Sequence, residues 1–221
     1  MNVVYDHEDW LVVDKPAGLN FHTEDGQPGL MVQLEHQLGT KLWPVHRLDK
    51  LTSGLVLVAK NKDSCALLSK LFSERKVDKY YLAVTPSSIK KKQGLIKGDM
   101  SPARRGAFKL LKTMDNPAIT QFFSHSLQAG YRICLLKPKT GKTHQLRVAL
   151  KSISAPIVGD GLYSGETAAR MYLHSFVLRF TYKDKPFVIV SEPVFEPDFS
   201  IANMLDDLAW LTPWQLPWPR L

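Results

Sequence analysis

The stretch VHRLDKLTSGLVLVAK, from Val45 to Lys60, is where the reading of the fold begins. Its second half, LVLVA at Leu55 to Ala59, is apolar, holds β-branched residues and shows no polar alternation, the pattern of a strand covered on both faces. Such a strand belongs near the centre of a sheet. Its first half sets a lone carboxylate, Asp49, beside His46, Arg47 and Lys50. A surface turn accounts for an Asp at little cost, because its side chain bonds nearby backbone N–H groups. Only its company elsewhere in the chain argues for more.

Outward from this stretch, VVYDHEDWLVV reads as a hairpin: apolar runs at Val3 to Tyr5 and Trp10 to Val13 flank a polar turn. Pro28 to Leu38 carries Leu30, Leu34 and Leu38 at four-residue spacing and ends at Gly39, which predicts a helix with a glycine cap. Lys62 to Lys76 predicts an amphipathic helix, with Asn61 or Asp63 as its cap and Ala66, Leu67, Leu71 and Phe72 facing inward. KYYLAVT, Ala118 to Ser124, Tyr131 to Leu136, Arg170 to Tyr182 and Phe187 to Val190 read as strands separated by short turns such as KDKP. Thr143 to Ile153 reads as a helix with Leu146, Ala149 and Leu150 on one side and His144 and Arg147 on another. Ser200 to Leu211 reads as a last helix through Ile201, Met204, Leu205 and Leu208, and prolines stop it in the tail PWQLPWPRL. In that tail Trp214 and Trp218, like Trp210 before them, are read as covers for a core edge rather than as stacking platforms for bases.

At 221 residues the chain can bury one sizeable core or two small ones. A single domain over residues 1–221 is expected. LVLVA is far short of the roughly 20 apolar residues needed to cross a bilayer, and MNVVYDHEDW has neither the basic nor the apolar region of a secretory signal. A cytoplasmic protein is the expectation. The two cysteines, Cys65 and Cys134, form no disulfide framework and no Cys-x-x-Cys pair, so buried free thiols are expected. Lys and Arg outnumber Asp and Glu by 29 to 21, a net charge of +8, which favours a polyanionic partner. Lys90, Lys91, Lys92, Lys97, Arg104, Arg105, Lys109 and Lys112 crowd one segment that holds a single acid, Asp99. A phosphate backbone fits there; a solvated loop explains the KKK run equally well, and Arg104 and Arg105 are the better candidates.

PKTGKTH invites comparison with a phosphate-binding P-loop, but the glycine required five residues before Gly141 is Leu136, so a Walker-type cradle of backbone donors does not form. The seven histidines show neither a His-x-x-x-His pair nor zinc-like spacing with cysteine, and no metal is expected.

HRLDKLTSG at His46 to Gly54 resembles the signature loop of the uridine-to-pseudouridine synthases of the RluA type. DKPAGL at Asp14 to Leu19, KYYLA at Lys79 to Ala83 and KTGKTHQLRV at Lys139 to Val148 match the same family in the same order. The resemblance implies an α+β fold: a mixed, mainly antiparallel β-sheet core with flanking helices and a central active-site cleft. It implies that Asp49 is the catalytic carboxylate, Tyr81 rather than Tyr80 the active-site aromatic, and Arg147 the partner of the carboxylate. Arg47 would help displace the target base or occupy its vacated place in the RNA, and His46 and Lys15 would be RNA-binding residues with it, Lys15 as part of the supporting wall. Ala149 stands where the family commonly has His. No S4-type RNA-binding domain is expected ahead of Met1 to Asp14, so targeting falls to the catalytic domain, with Arg104 and Arg105 as further RNA contacts. A monomer acting on ribosomal or transfer RNA is the implied assembly.

The implied reaction breaks N1–C1′, turns the base, joins C5 to C1′ and releases the C5 proton. Because it is an isomerisation, no cofactor is required. A carboxylate can trap an oxocarbenium-like sugar, stabilise it, or take a proton from it, as glycosidase carboxylates act at an anomeric centre; residue identity does not choose among these routes. Burial alone favours a neutral acid, and an opposing guanidinium reverses that while its fork fixes orientation. A tyrosine offers a face for the everted base and a phenol that can take the C5 proton, though an ordinary pKa near 10 makes it an unwilling base. Unstacking a uridine costs a few kcal/mol, which favours single-stranded loops as targets. Two other classes fit parts of the pattern. A base-releasing glycosylase would leave free uracil and an abasic site. A non-catalytic RNA-binding module would have no use for Asp49.

Overall fold

A computed structural model describes residues 1–221 except Ala202. In chain order the elements are β1 (Asn2–Asp6), β2 (Trp10–Lys15), α1 (Leu30–Leu38), β3 (Trp43–Pro44), β4 (Ser53–Ala59), α2 (Lys62–Ser73), β5 (Asp78–Pro86) and β6 (Gln93–Gly98). There follow β7 (Met100–Pro102), β8 (Phe108–Leu110), β9 (Ala118–Gln128), β10 (Tyr131–Pro138), α3 (Gln145–Ser152), β11 (Leu173–Tyr182), β12 (Lys185–Val190) and α4 (Met204–Asp207). The architecture is α+β with mainly antiparallel pairing. The chain divides into two compact units, residues 1–79 with 174–193 and residues 80–173 with 194–221. Among the described residues no helix is long and apolar enough to cross a membrane.

In the first unit the strand order is β1-β2-β4-β11, with β12 beside β11 and β3 beside β4. All seven residues of β4 are buried, as the unbroken apolar run predicts. Leu55, Leu57 and Ala59 face a core of Trp10, Val12, Leu68, Val77 and Phe180. Each large apolar side chain so buried contributes roughly 1.5–3 kcal/mol. The β4–β11 pairing is parallel, His174 opposite Ser53 and Ser175 opposite Gly54. α2 starts at Asn61, whose side chain accepts the Ser64 N–H at 2.8 Å. That start fixes which face turns inward: Ser64 and Leu68 are buried, and Cys65, Leu71 and Phe72 pack on the core. Ala66 and Leu67, expected inside, are exposed. The cap sets the helical phase, and residues three, four and seven beyond Asn61 are the ones that meet the sheet.

In the second unit β5, β10, β9 and β6 form an antiparallel order, with Tyr81 opposite Leu136 and Ala83 opposite Cys134. Tyr80 and Tyr81, adjacent on a strand, point to opposite faces. The Tyr80 face is closed by the C-terminal tail: Trp218 lies 5.8 Å from the Tyr80 ring and 4.8 Å from Phe123, and the Lys137 ammonium sits 5.0 Å above Tyr80. Gln121 donates to the carbonyl of Pro219, and the Trp218 indole N–H donates to that of Pro213. Trp218 thus covers a core edge, as expected, and Trp210 is buried. The predicted last helix is shorter than expected: α4 keeps only Met204–Asp207, and Ala202 of the predicted span lies outside the described residues. Cys134 is buried in β10, where desolvation raises its thiol pKa to about 12. Cys65 is half-buried, and its thiol reaches the Pro44 carbonyl at 3.3 Å.

Candidate active site

Asp49 sits in the turn between β3 and β4, where the Thr52 N–H donates to the Asp49 carbonyl at 3.1 Å. The residue is half-buried, Leu48 before it is buried and Arg47 is exposed. Four constructions fix this loop. From beneath, the fully buried Lys15 donates to the carbonyls of Pro16, Leu19 and Lys50 at 2.9, 2.9 and 3.0 Å, and the Gly18 N–H also donates to Lys50 at 2.9 Å. At its start, the His46 ring stacks on Phe72 at 4.4 Å and its Nε2 accepts the Leu57 N–H at 3.0 Å, so a side chain continues the β3–β4 ladder where the β3 backbone stops. At its end, the buried Ser53 hydroxyl and His174 Nδ1 lie 2.8 Å apart, and His174 Nε2 lies 2.8 Å from the Ser191 carbonyl. Because a carbonyl only accepts, Nε2 carries the proton and, in the neutral ring, Nδ1 accepts from Ser53. Last, Gly54 has φ +104°, and a Cβ there would lie 2.3 Å from the Ser175 carbonyl oxygen; the glycine of TSG is what lets β11 run this close.

Two of the residues proposed for the RNA surface lie within this scaffold. Lys15 is fully buried and its ammonium donates to three backbone carbonyls, which places it in the supporting wall. His46 does not offer a charged imidazole to phosphate: desolvation, with the nearby Lys79 charge, lowers its pKa to about 3, and its Nε2 is occupied by Leu57.

In the second unit, Arg147 lies on α3, and six consecutive residues, Gln145 to Leu150, are buried. The expected one-sided helix is therefore covered nearly all round, which its two polar members tolerate because both are satisfied. Gln145 accepts from the Thr140 hydroxyl at 2.6 Å and the Lys142 N–H at 3.1 Å, and donates to the Ile119 carbonyl and the Thr120 hydroxyl at 3.1 Å each. Arg147 donates from Nε to Asp160 Oδ2 at 2.8 Å and from Nη2 to Asp160 Oδ1 at 2.9 Å, a bidentate pair with the Asp160 side chain fully enclosed. Its guanidinium carbon stands 4.9 Å from the Tyr163 ring centre. The Tyr163 hydroxyl accepts the Phe108 N–H at 2.9 Å and lies 2.9 Å from His144 Nδ1. Tyr81 is nearly buried on β5, on the face that Trp218 does not close. Ala149 is buried.

Arg104 and Arg105 are exposed at the tip of the β7–β8 hairpin, closed by the Ala103 N–H donating to Ala107 at 2.8 Å. Lys90, Lys91 and Lys92 are exposed as well. The hairpin is tied through Phe108 to Tyr163, and so to the surroundings of Arg147.

The ligand atoms of His7, Glu8 and Asp9 lie within 4.8 Å of one another. Two of the three have structural partners. Asp9 accepts from Lys183 at 2.7 Å and from the Tyr182 hydroxyl at 3.0 Å, contacts led by the Lys183 bond that hold its carboxyl below the usual range, and His7 Nδ1 accepts the Asp9 N–H. Four residues around the predicted ones were not singled out by sequence: Asp160, Tyr163, Ser53 and His174. No periodicity links Asp160 or His174 to its partner, 13 and 121 positions away. The only local signal is VGDGLY at Val158 to Tyr163, where Gly159 (φ +82°) cannot carry a Cβ.

Residues 9–152 match the family described as RNA pseudouridylate synthase. A Haemophilus influenzae protein named an uncharacterized RNA pseudouridine synthase is 51% identical over 185 residues, covering 82% of this chain and 83% of its own. The ribosomal large subunit pseudouridine synthase C of Rickettsia bellii is 33% identical over 187 residues, covering 78% of this chain and 61% of its own. The solved structure of human RNA pseudouridylate synthase domain containing 1 superposes with a TM-score of 0.81 at 28% identity, covering 99% of this chain and 96% of that one.

Proposed function

The chain belongs to the RNA pseudouridine synthase family and isomerises uridine in RNA; on that footing we propose that Asp49, Tyr81 and Arg147 carry the reaction on a uridine of ribosomal or transfer RNA. Neither the glycosylase nor the binding-module reading is favoured by these likenesses. The N1–C1′ bond breaks, C5–C1′ forms, C5 loses its proton and N1 gains one, so the RNA keeps its mass. Asp49 acts at C1′ of the everted nucleotide. Arg147 serves as its cationic partner in the reaction. Tyr81 gives the base a face and removes the C5 proton, directly or through water. Arg47, exposed two residues before Asp49, helps displace the base, and Arg104 and Arg105 hold flanking phosphates. Lys15 and His46 shape the loop and leave the RNA to those arginines.

One observation supports Asp49 above all: four independent constructions, through Lys15, His46, Ser53–His174 and Gly54, converge on the backbone around it. A solvated turn does not require them, whereas a catalytic carboxylate must be held to within a fraction of an ångström. We further propose that residues 1–221 act as one catalytic domain, as a monomer in the cytoplasm. Mapping pseudouridine in total RNA from cells with and without the protein tests reaction and target together; identical maps would sink the reading. On purified protein, Arg147→Lys is expected to slow turnover with the fold retained. Tyr81→Phe is expected to bind RNA without completing product.

A further inference from the structure

We propose that Asp160 and Tyr163 are positioning residues for Arg147: one turn of the chain supplies both an in-plane clamp and a facial platform that leave its guanidinium a single orientation. The inference rests on the role given to Arg147 above and extends it to two residues with no assigned part.

Two contacts of different kinds meet on one head group. Asp160 takes Nε and Nη2 in its plane, at 2.8 and 2.9 Å, which fixes rotation within that plane. Tyr163 lies under the face at 4.9 Å, which fixes the tilt. Neither holder moves easily. The Asp160 carbonyl accepts the N–H groups of Tyr163 at 3.1 Å and Gly165 at 2.8 Å, and its own N–H donates to Ile157 at 3.0 Å. Beside it, a Cβ on Gly159 would lie 1.8 Å from the Arg170 carbonyl oxygen, so this turn is pressed against its neighbour. Val158 exchanges backbone bonds with Val84 (2.9 Å) and Tyr172 (3.0 Å), tying the same turn to β5, the strand of Tyr81. The Tyr163 hydroxyl is pinned by Phe108 and His144, so its ring cannot swing away from the guanidinium.

A plain structural ion pair anchoring α3 would use the same Asp160 contact, and kinetics separate the two roles. Asp160→Asn keeps the shape and removes the charge. It is assayed with Tyr163→Leu and Arg147→Lys by release of tritium from C5 of uridine in transcribed ribosomal and transfer RNA, with circular dichroism to verify the fold. A positioning role predicts that folded Asp160→Asn loses about 10-fold to 100-fold in kcat while KM stays within about threefold. It also predicts that Asp160→Asn adds less than about twofold to Arg147→Lys, because both changes act through one guanidinium. Unchanged kcat in folded Asp160→Asn, with Arg147→Lys impaired, overturns the proposal and spares the role of Arg147. Unchanged kcat in Arg147→Lys removes that role, and the proposal with it. Should Asp160→Asn not fold, Tyr163→Leu decides: it keeps the ion pair and removes the platform, and a kcat within about twofold of the unaltered protein overturns the proposal.

Discussion

The loop carrying Asp49 and the helix carrying Arg147 solve one problem in opposite ways. Around Asp49 the protein grips the backbone: Lys15 binds the Lys50 carbonyl, His46 the Leu57 N–H, and Gly54 admits the Ser175 backbone. Around Arg147 it grips the head group itself, through Asp160 and Tyr163. The difference follows from the side chains. A short Asp goes where its Cα goes, so fixing the chain fixes the carboxylate. A long Arg has several rotatable bonds, so its Cα position says little and its far end must be held. Backbone grip and head-group grip should therefore fail differently when disturbed.

The largest effect tests function without scaffold. Asp49→Asn is expected to lower kcat by at least about 10³-fold with the fold retained by circular dichroism. Turnover within tenfold of the unaltered protein would end the reading of Asp49. Lys15→Met tests the scaffold without the reacting group: it leaves three carbonyls without their shared donor and is expected to cost about 3 kcal/mol in urea unfolding, with catalysis falling alongside. A stable, fully active Lys15→Met protein would mean that the backbone grip is dispensable.

His46 gives a pH signature. Its folded pKa, near 3, lies below the ordinary value of 6.5, so below 6.5 the unfolded chain binds a proton that the folded chain refuses. Stability contributed by the neutral ring is present above pH 6.5 and is lost as the pH falls toward 3; by pH 5 the loss amounts to about 2 kcal/mol. His46→Gln, which keeps an acceptor and cannot titrate, should flatten urea midpoints between pH 7 and 5. Parallel slopes in the two proteins would contradict the assignment. The smallest effect belongs to the hairpin. Arg104→Ala with Arg105→Ala should weaken RNA binding by about 1 kcal/mol and reduce the dependence of log K on log salt by about two, with kcat unchanged at saturating RNA.

Much of this was legible from residues in order. β4 announced itself because a strand buried on both faces needs no polar alternation, and α1 by its leucine spacing and its stop at Gly39. The order of HRLDKLTSG, KYYLA and KTGKTHQLRV brought Asp49, Tyr81 and Arg147 forward for the same reaction. The inward face of α2 was misjudged because leucine identity favours Leu67, whereas phase is set by a hydrogen bond at Asn61. His46 and Lys15 read as cations because charge is written in the sequence and burial is not. Asp160 and His174 stayed invisible for a further reason: each matters through a partner that only folding delivers, and an Asp in a glycine-flanked turn looks like any other turn Asp.

The contrast between the two thiols has a practical use. A maleimide fluorophore or spin label finds Cys134 sealed in β10 and protonated at any working pH, so it should react at Cys65 alone. Cys65 touches the Pro44 carbonyl, two residues before the HRLDKLTSG loop begins, so a single dye on the native protein would sit beside the start of the loop proposed to meet RNA.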